Sequence, residues 1–313
     1  MLTRKQMILV KMETTYAQDS TPDGSNRIFV AELEVNPYEG DRQEIPRIRD
    51  SMGANAEGNV APYVTATITA GLAGSGTKGT PPVFGPLLRA CGLSETIDTE
   101  TAGDEKVIYQ PVTDNIESCT IYYLQDGQQQ RITGARGTLT LDATRGQYPT
   151  LQFTMTGLYH KPEAASPVTI SPITQQDEVP VNKQNTGTFS VHGYAACGES
   201  LSMELGNEVV HRNLIGCEKV FITDRAATGE INVEAPNIGT KDYFAAVESH
   251  QGFTPGAINL VHGTTPGNIV QFDAPKTQLS SITSQDSDGI VHYQLGARYL
   301  PDAGNDEFTL TFK

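Results

Sequence analysis

Polar and apolar positions alternate with a period of two along much of this chain, the spacing of strands that bury one face. Residues 28–35 alternate through Phe29, Ala31, Leu33 and Val35, and residues 60–72 through Tyr63, Ala66, Ile68 and Ala70. The block 107–159 reads as strand, Asp126-Gly127 turn, strand, Gly-rich turn and strand, ending at Gly157-Leu-Tyr159. The block 257–299 reads as strand, Pro266-Gly267 turn and two more strand-like runs, ending at Gly296-Ala-Arg-Tyr299. Turn-to-end distances nearly match, 30 residues from Gly127 to Gly157 and 29 from Gly267 to Gly296. Further strands are expected at 188–194, 199–205, 220–223 and 229–235, with a loop near 207–212 and a strand-like tail at 307–313. One short helix precedes each block. The first, 83–92, stops at Gly92; the second, 240–250, starts on Thr240 as N-cap and ends before Gly252.

This order predicts a mainly β protein of two tandem β-sandwich or partial-barrel domains, each with one short flanking helix. The expected divisions are an arm at 1–25, a first domain at 26–161, a linker at 162–186 and a second domain at 187–313. Two regions stand outside the strand pattern. Residues 36–59 are polar and charged with alternating sign, long for a passive connection and suited to polar docking on a neighbour. The arm is of a kind that orders by lying on another subunit.

Composition narrows the function classes. At 313 residues the chain has room for two cores, and its 30 glycines and 18 prolines fit many turns. Net charge is −15, with both halves acidic, so neither is a basic phosphate-binding module. Trp is absent, which argues against aromatic platforms for sugars or single-stranded nucleic acid. The cysteines Cys91, Cys119, Cys197 and Cys217 form no CxxC pair and are expected as free thiols in a reducing cytoplasm. The N-terminal apolar run is too short for a signal peptide, and no 18-residue apolar stretch is present, so no membrane insertion is expected.

Candidate chemistry is sparse. The run Gly71-Leu-Ala-Gly-Ser-Gly-Thr-Lys-Gly-Thr80 places Thr77 where a phosphate-binding loop needs lysine, and two prolines separate it from the helix. It reads as a flexible connection. The six histidines lack metal-ligand spacing, no G-x-S-x-G elbow occurs, and no carboxylate pair stands out. No enzyme, cofactor or metal is expected.

The series Val10-Lys-Met-Glu-Thr-Thr-Tyr16, Leu33-Glu-Val-Asn-Pro37, Ala73-Gly-Ser-Gly-Thr77 and Pro86-Leu-Leu-Arg-Ala-Cys-Gly92 resembles the tail tube (major tail) proteins of long, non-contractile-tailed, siphovirus-type bacteriophages. So do Val107-Ile-Tyr-Gln-Pro-Val112, Thr120-Ile-Tyr-Tyr123, Asp126-Gly127, Gly134-Ala-Arg-Gly137 and Phe153-Thr-Met-Thr-Gly-Leu-Tyr159. The second half keeps the order of elements but lacks the Leu-Leu-Arg-Ala-Cys-Gly and Gly-Ala-Arg-Gly strings. The resemblance implies a structural virion protein, assembled in the host bacterial cytoplasm, whose domains form six-membered rings that stack into a tube for DNA ejection. Two such domains per chain imply three chains per ring. The implied partners are further copies of the chain, the tape-measure and tail-tip or terminator proteins, and double-stranded DNA in transit without specific binding. The stacking loop would be 36–59, with Asp41, Arg42, Glu44, Arg47, Arg49 and Asp50, and its counterpart 206–228, with Arg212 and Arg225. Carboxylates Glu117, Asp142, Asp273 and Asp286 are expected on the channel wall. Two other readings stay open: a two-domain carbohydrate-binding or adhesin subunit, and a terminator or hub protein on the same fold.

Overall fold

Alternation becomes strand along most of the chain. The computed structural model describes residues 2, 4–100, 103–165, 168–172 and 175–313, and it is mainly β with two short helices. The first half runs β1 (Gln6–Met12), β2 (Arg27–Ile28), β3 (Glu32–Glu39), β4 (Arg42–Glu44), β5 (Glu57–Asn59), β6 (Tyr63–Gly71) and α1 (Gly85–Ala90). It continues through β7 (Leu93–Asp98), β8 (Lys106–Pro111), β9 (Cys119–Gln125), β10 (Gln128–Thr144), β11 (Thr150–Tyr159) and β12 (Glu163–Ala164). The second half opens with β13 (Thr186–Val191), β14 (Tyr194–Ala195), β15 (Gly198–Glu204), β16 (Asn207–Leu214), β17 (Cys217–Arg225) and β18 (Thr228–Glu234). It closes with α2 (Phe244–Val247), β19 (Gly256–His262), β20 (Val270–Ser287), β21 (Ile290–Tyr299) and β22 (Thr309–Phe312).

Eight strands form one antiparallel sheet in the order β3·β6·β11·β10·β15·β18·β21·β20. Four come from each half. The long strands β10 and β20 also enter a second layer. The proximal part of β10 pairs with β9, which pairs with β1, and β1 with β2. The proximal part of β20 lies between β19 and β22; β19 leads to β13 and β14, and β22 to β8 and β7. Among the described residues no ladder returns to its starting strand, so the layers are open sheets.

A bulge in β10 makes its change of partner possible. Residues 134–137, expected as a turn, sit inside one continuous strand, where both ladders shift register between 132 and 136. An extra residue there bends the strand and increases its twist, turning its distal half from β9 towards β15. Gly134 has φ +60°, and a Cβ on it would lie 2.9 Å from the Tyr16 ring, so both backbone and space require glycine.

The space between the layers is filled by one apolar core that runs through both halves. Phe84, Phe153, Phe312 and Tyr109 meet with ring centroids 5.7–6.3 Å apart, and Phe272 contacts Tyr299 and Phe308 at 5.6 and 5.8 Å. Each such side chain contributes about 1.5–3 kcal/mol on burial. Helix α1 follows from its apolar face: Leu87 and Leu88 are fully buried, and Gly92 ends it with φ +81°. Helix α2 buries no side chain and lasts one turn. Its N-cap is Tyr243 rather than Thr240, with the Asp242 carboxylate accepting from the Ala245 amide at 3.1 Å.

Three other expectations change. The arm contains β1, a full sheet member whose Ile8, Leu9 and Val10 are buried in this chain's own core. Residues 207–212 are strand, not loop. Residues 175–181, within the expected linker, lie across both halves: Gln175 Oε1 accepts from the Phe29 amide at 3.1 Å, Val181 exchanges backbone hydrogen bonds with Gly146 and Gln147, and the Asp177 carbonyl accepts from Asn268 at 3.2 Å. The matched glycines also differ in facing. Gly157 is buried, whereas Gly296 lies beside the buried Leu295 and Ala297 on the opposite face.

Burial holds the imidazoles of His160, His192 and His262 below their ordinary value of 6.5. His262 is nearly inaccessible, its Nε2–H donating to the Val179 carbonyl at 3.1 Å while Nδ1 faces the Thr186 hydroxyl at 3.0 Å. A histidine depressed in the fold takes up a proton on unfolding. Its contribution is therefore full above its unfolded value and is lost as pH falls below that value. Urea midpoints should drop between about pH 7.5 and pH 5.5, and His262→Gln should flatten part of that slope. A variant with the parent's slope would show that His262 is not held neutral.

Candidate functional site

The eight-stranded sheet has two chemically distinct faces. One carries the core: Val64, Ala66 and Ile68 on β6, Leu151, Phe153 and Met155 on β11, Leu139 and Leu141 on β10, Leu201 and Met203 on β15, Ile231 and Val233 on β18. The alternate positions form the other face. They read Thr65, Thr67 and Thr69; Gln152, Thr154 and Thr156; Thr138, Thr140, Asp142 and Thr144; Ser200, Ser202 and Glu204; Thr228, Glu230, Asn232 and Glu234. The flanking strands add Glu32, Glu34 and Asn36 on β3, and Gln294 and Arg298 on β21. This is a hydroxyl and amide surface with six carboxylates and one guanidinium. Neighbours are tied across strands, Gln294 donating to Glu230 at 2.8 Å and Asn36 to the Thr65 hydroxyl at 3.3 Å, and along β10 the Thr144 hydroxyl donates to Asp142 at 2.9 Å. The face offers no nucleophile–base pair, and among the described residues no cluster could hold a metal ion.

Of the four expected wall carboxylates, only Asp142 lies on this face. Glu117 precedes β9 and is clamped by Arg89 of α1 through two hydrogen bonds of 2.6 and 2.7 Å, which also push the Arg89 guanidinium above its ordinary pKa. Asp273 lies in the proximal part of β20, accepting from Gln271 at 2.6 Å and from Asn259. Asp286 shares the side of β20 that carries Ile282, which packs on the core, so it faces away from the polar surface. This face carries instead Glu32, Glu34, Glu204, Glu230 and Glu234. Strict alternation in E-L-E-V, S-L-S-M-E and E-I-N-V-E is the sequence signal that marks them.

Two hairpins leave this sheet at corresponding places, β4–β5 between β3 and β6, and β16–β17 between β15 and β18. The first carries Asp41, Arg42, Glu44, Arg47, Arg49 and Asp50, all exposed and none in an ion pair with a described residue. Within it Asn55 donates to Glu44 at 2.7 Å and Arg49 to the Ala54 carbonyl at 3.3 Å. Its tip also exposes Ile48 and Met52 completely. The second hairpin instead lies against the first half. Val220 is buried, its amide donating to the Tyr16 hydroxyl at 2.6 Å and its carbonyl accepting from Arg136 at 2.9 Å. Burial lowers the Arg136 pKa, and its guanidinium stacks over Tyr16 at 5.0 Å.

Arg212 projects from β16 into solvent, with Ile215 fully exposed nearby. Arg225 differs. Its guanidinium bonds Glu307 at 2.8 Å, Asn305 at 3.1 Å and the Val112 carbonyl at 2.9 Å, with both ions largely buried. It fastens the hairpin base to the body and is not open to a neighbour.

The Gly-rich run 71–79 packs against the 263–268 turn. The Gly76 amide donates to the Gly267 carbonyl at 3.0 Å and the Gly74 amide to Asn268 at 2.7 Å, while a Cβ on Gly74 would lie 2.1 Å from the Gly267 oxygen. Cys91 and Cys119 are buried and Cys197 and Cys217 exposed, all four as free thiols; burial pushes the Cys91 and Cys119 thiols up. No helix among the described residues is long and apolar enough to cross a membrane.

No curated protein matches the chain. A family model described as phage tail tube protein matches residues 3–311, nearly the full length. With an open β sheet, one polar face, projecting hairpins and a match of that extent, the chain belongs to the phage tail tube family: it is a structural virion protein that self-assembles into a tube.

Proposed function

We propose that three copies of this chain join edge to edge into a ring, that rings stack through the two hairpins, and that the polar sheet face lines the channel through which DNA is ejected. The observation that carries this reading is the eight-stranded sheet with two open edges, β3 and the distal half of β20. Open edges of this length invite strand addition, and ring closure removes them. Three such sheets, with strands about 4.8 Å apart and tilted about 40°, close at a backbone diameter of roughly 48 Å, wide enough to pass a nucleic-acid duplex.

The proposed wall chemistry suits passage rather than binding. Hydroxyls and amides keep the surface wet, and carboxylates oppose phosphate approach within a screening length of roughly 8–10 Å. With one guanidinium among these positions, little counterion release is on offer to hold the duplex. Rings would stack through the tip of β4–β5, where unpaired charges surround exposed Ile48 and Met52, with Arg212 and Ile215 contributing from β16–β17. Within a siphovirus-type tail, the tape-measure protein would occupy the channel before DNA, and tail-tip and terminator proteins would cap its ends. The halves, 26–161 and 187–313, would act as duplicated tail tube domains.

Electron microscopy of the purified protein, alone or with its tail-tip complex, should show open-ended hollow tubes of threefold rings. Monodisperse particles that retain a glycan would instead favour the adhesin reading, and single rings that only cap tubes the terminator reading. Tubes carrying Glu204→Lys, Glu230→Lys and Glu234→Lys should retain short DNA duplexes at about 50 mM salt and release them as salt rises, while unmodified tubes leave the duplex in solution. Equal retention by both would show that these carboxylates do not face the channel.

A further inference from the structure

The contact between the two halves offers a template for the contact between chains, and the charges at the two places are exchanged. Within the chain, the distal end of β10 pairs with β15 from Thr140↔Glu204 to Thr144↔Ser200. The turn that follows continues the contact: the Arg145 amide donates to the Glu199 carbonyl at 2.8 Å, and its guanidinium reaches the Glu199 carboxylate at 3.4 Å. Ala143 and Arg145 thereby line a cavity of about 670 Å³, together with Val181, Asn182 and Lys183, β13, β14, the start of β15 and Leu260 of β19.

Sequence and pairing identify the corresponding parts. The hairpin arm 138–146, T-L-T-L-D-A-T-R-G, corresponds to 281–289, S-I-T-S-Q-D-S-D-G, with Gly146 and Gly289 both at positive φ in the turn. Strand β15, S-L-S-M-E from Ser200, corresponds to β3, E-L-E-V-N from Glu32. Position 145 therefore stands against Asp288, position 143 against Asp286, and position 199 against Ala31.

A second cavity, about 610 Å³, lies where this correspondence puts it, walled by β1, β2 and the start of β3. The β9–β10 turn at Asp126 and Gly127 also lines it, with Ala165, Val168 and Ile170. Its lining carries Arg4, Lys5 and Arg27 with Asp126, where the first cavity has Lys183 and Glu199 with Thr186 and Ala195. Lys5 is 3.5 Å from Asp126, which also accepts from the Leu2 amide at 2.7 Å. Neither Arg4 nor Arg27 has a carboxylate partner among the described residues, and Arg27 lies 4.5 Å above the exposed Phe29 ring. The β20–β21 turn is acidic: Asp286 accepts from the Gly289 amide of the turn at 3.2 Å, and Asp288 is exposed. On the other face of this hairpin, Ser287 touches Glu199 at 3.4 Å.

We propose that the acidic turn 286–289 of one chain seats in the basic-rimmed cavity of a second copy, with β20 from Thr283 to Ser287 pairing antiparallel to β3 from Asn36 to Glu32. This rests on the ring reading above and adds the register and the electrostatics of the joint. The exchange of sign sets the direction of assembly. The Arg145 turn entering the second cavity would meet Arg4, Lys5 and Arg27, whereas the 286–289 turn brings carboxylates to them, so the joint favours alternation of unlike halves round the ring.

Cysteines at 31 and 288 test the joint, because the equivalent positions 199 and 145 share a backbone hydrogen bond and so lie within disulfide reach. In full-length protein carrying Cys197→Ser and Cys217→Ser, adding Ala31→Cys and Asp288→Cys should give covalent trimers when assembled tubes are oxidised. Independently, Asp286→Lys with Asp288→Lys should raise the protein concentration needed for assembly by at least about tenfold, and adding Arg4→Glu with Arg27→Glu should restore it. Circular dichroism of the unassembled variants reports whether each remains folded. Tubes that form without the 31–288 crosslink would overturn this joint and leave the tube reading standing. Failure of the unmodified protein to form tubes with its tail-tip complex would overturn the tube reading itself.

Discussion

The ladder between the distal half of β10 and β15 joins two runs of four strands into one sheet, and most other features depend on it. A strand pairs well on a given side with only one neighbour at a time, so β10 must release β9 before it can take β15. The bulge at 134–136 performs that exchange, and it stands because the site around it is fully partnered. Glu13 accepts from the Gly134 amide at 2.7 Å and from the Ser118 and Thr120 hydroxyls at 2.6 and 2.8 Å. Tyr16 closes over Gly134, and Arg136 bonds the Ile116 and Val220 carbonyls. A segment legible as a loose arm and a string legible as a glycine turn are thus two sides of one device, which bends β10 and directs the second half onto the first.

Local signals were sufficient for much of the fold. Alternation located β6, β15, β18 and β22 to within a few residues, and Leu87, Leu88 and Gly92 marked α1. The signals failed where a partner distant in sequence decides the outcome. Residues 207–212 look polar and irregular, yet they form β16 because β17 supplies a ladder and the first half supplies a surface. Gly134 to Gly137 reads as a turn because a bulge and a turn draw on the same residues. Helix α2 is one turn long and leaves Phe244 partly exposed beside Tyr293.

The candidate surface was legible in pattern but not in membership. Period-two alternation marks which residues share a face, and the polar sets of β6, β11, β15 and β18 follow directly from it. Which carboxylates belong to that face depends on where strands begin and where bulges shift parity. Asp286 lies beyond the register shift near residue 280 of β20, and this places it with Ile282 instead of with Thr283 and Gln285. Glu117 lies outside any strand, and α1 brings Arg89 to neutralise it. Arg225 looked like one more exposed cation of a charged hairpin, but Glu307, 82 residues away, meets it in a largely buried pair.

Why the polar face is mostly hydroxyl rather than mostly carboxylate has a physical answer in the sheet itself. Like charges directly opposite on neighbouring strands destabilise pairing, and an aligned array of carboxylates would weaken the ladders that hold β6, β11 and β10 together. On this sheet the inner strands β6 and β11 present Thr and Gln, uncharged side chains that tolerate close neighbours. Carboxylates concentrate on β3, β15 and β18, where they alternate in register with Thr, Ser and Asn. Glu32 faces Thr69 and Glu34 faces Thr67, while Glu230 faces Ser202 and Glu204 lies between Thr140 and Thr228. No carboxylate on this face is paired directly with another across a ladder. The arrangement keeps net negative charge on the surface without the cross-strand repulsion that a denser array would bring, so the demands of strand pairing limit how acidic such a wall can become.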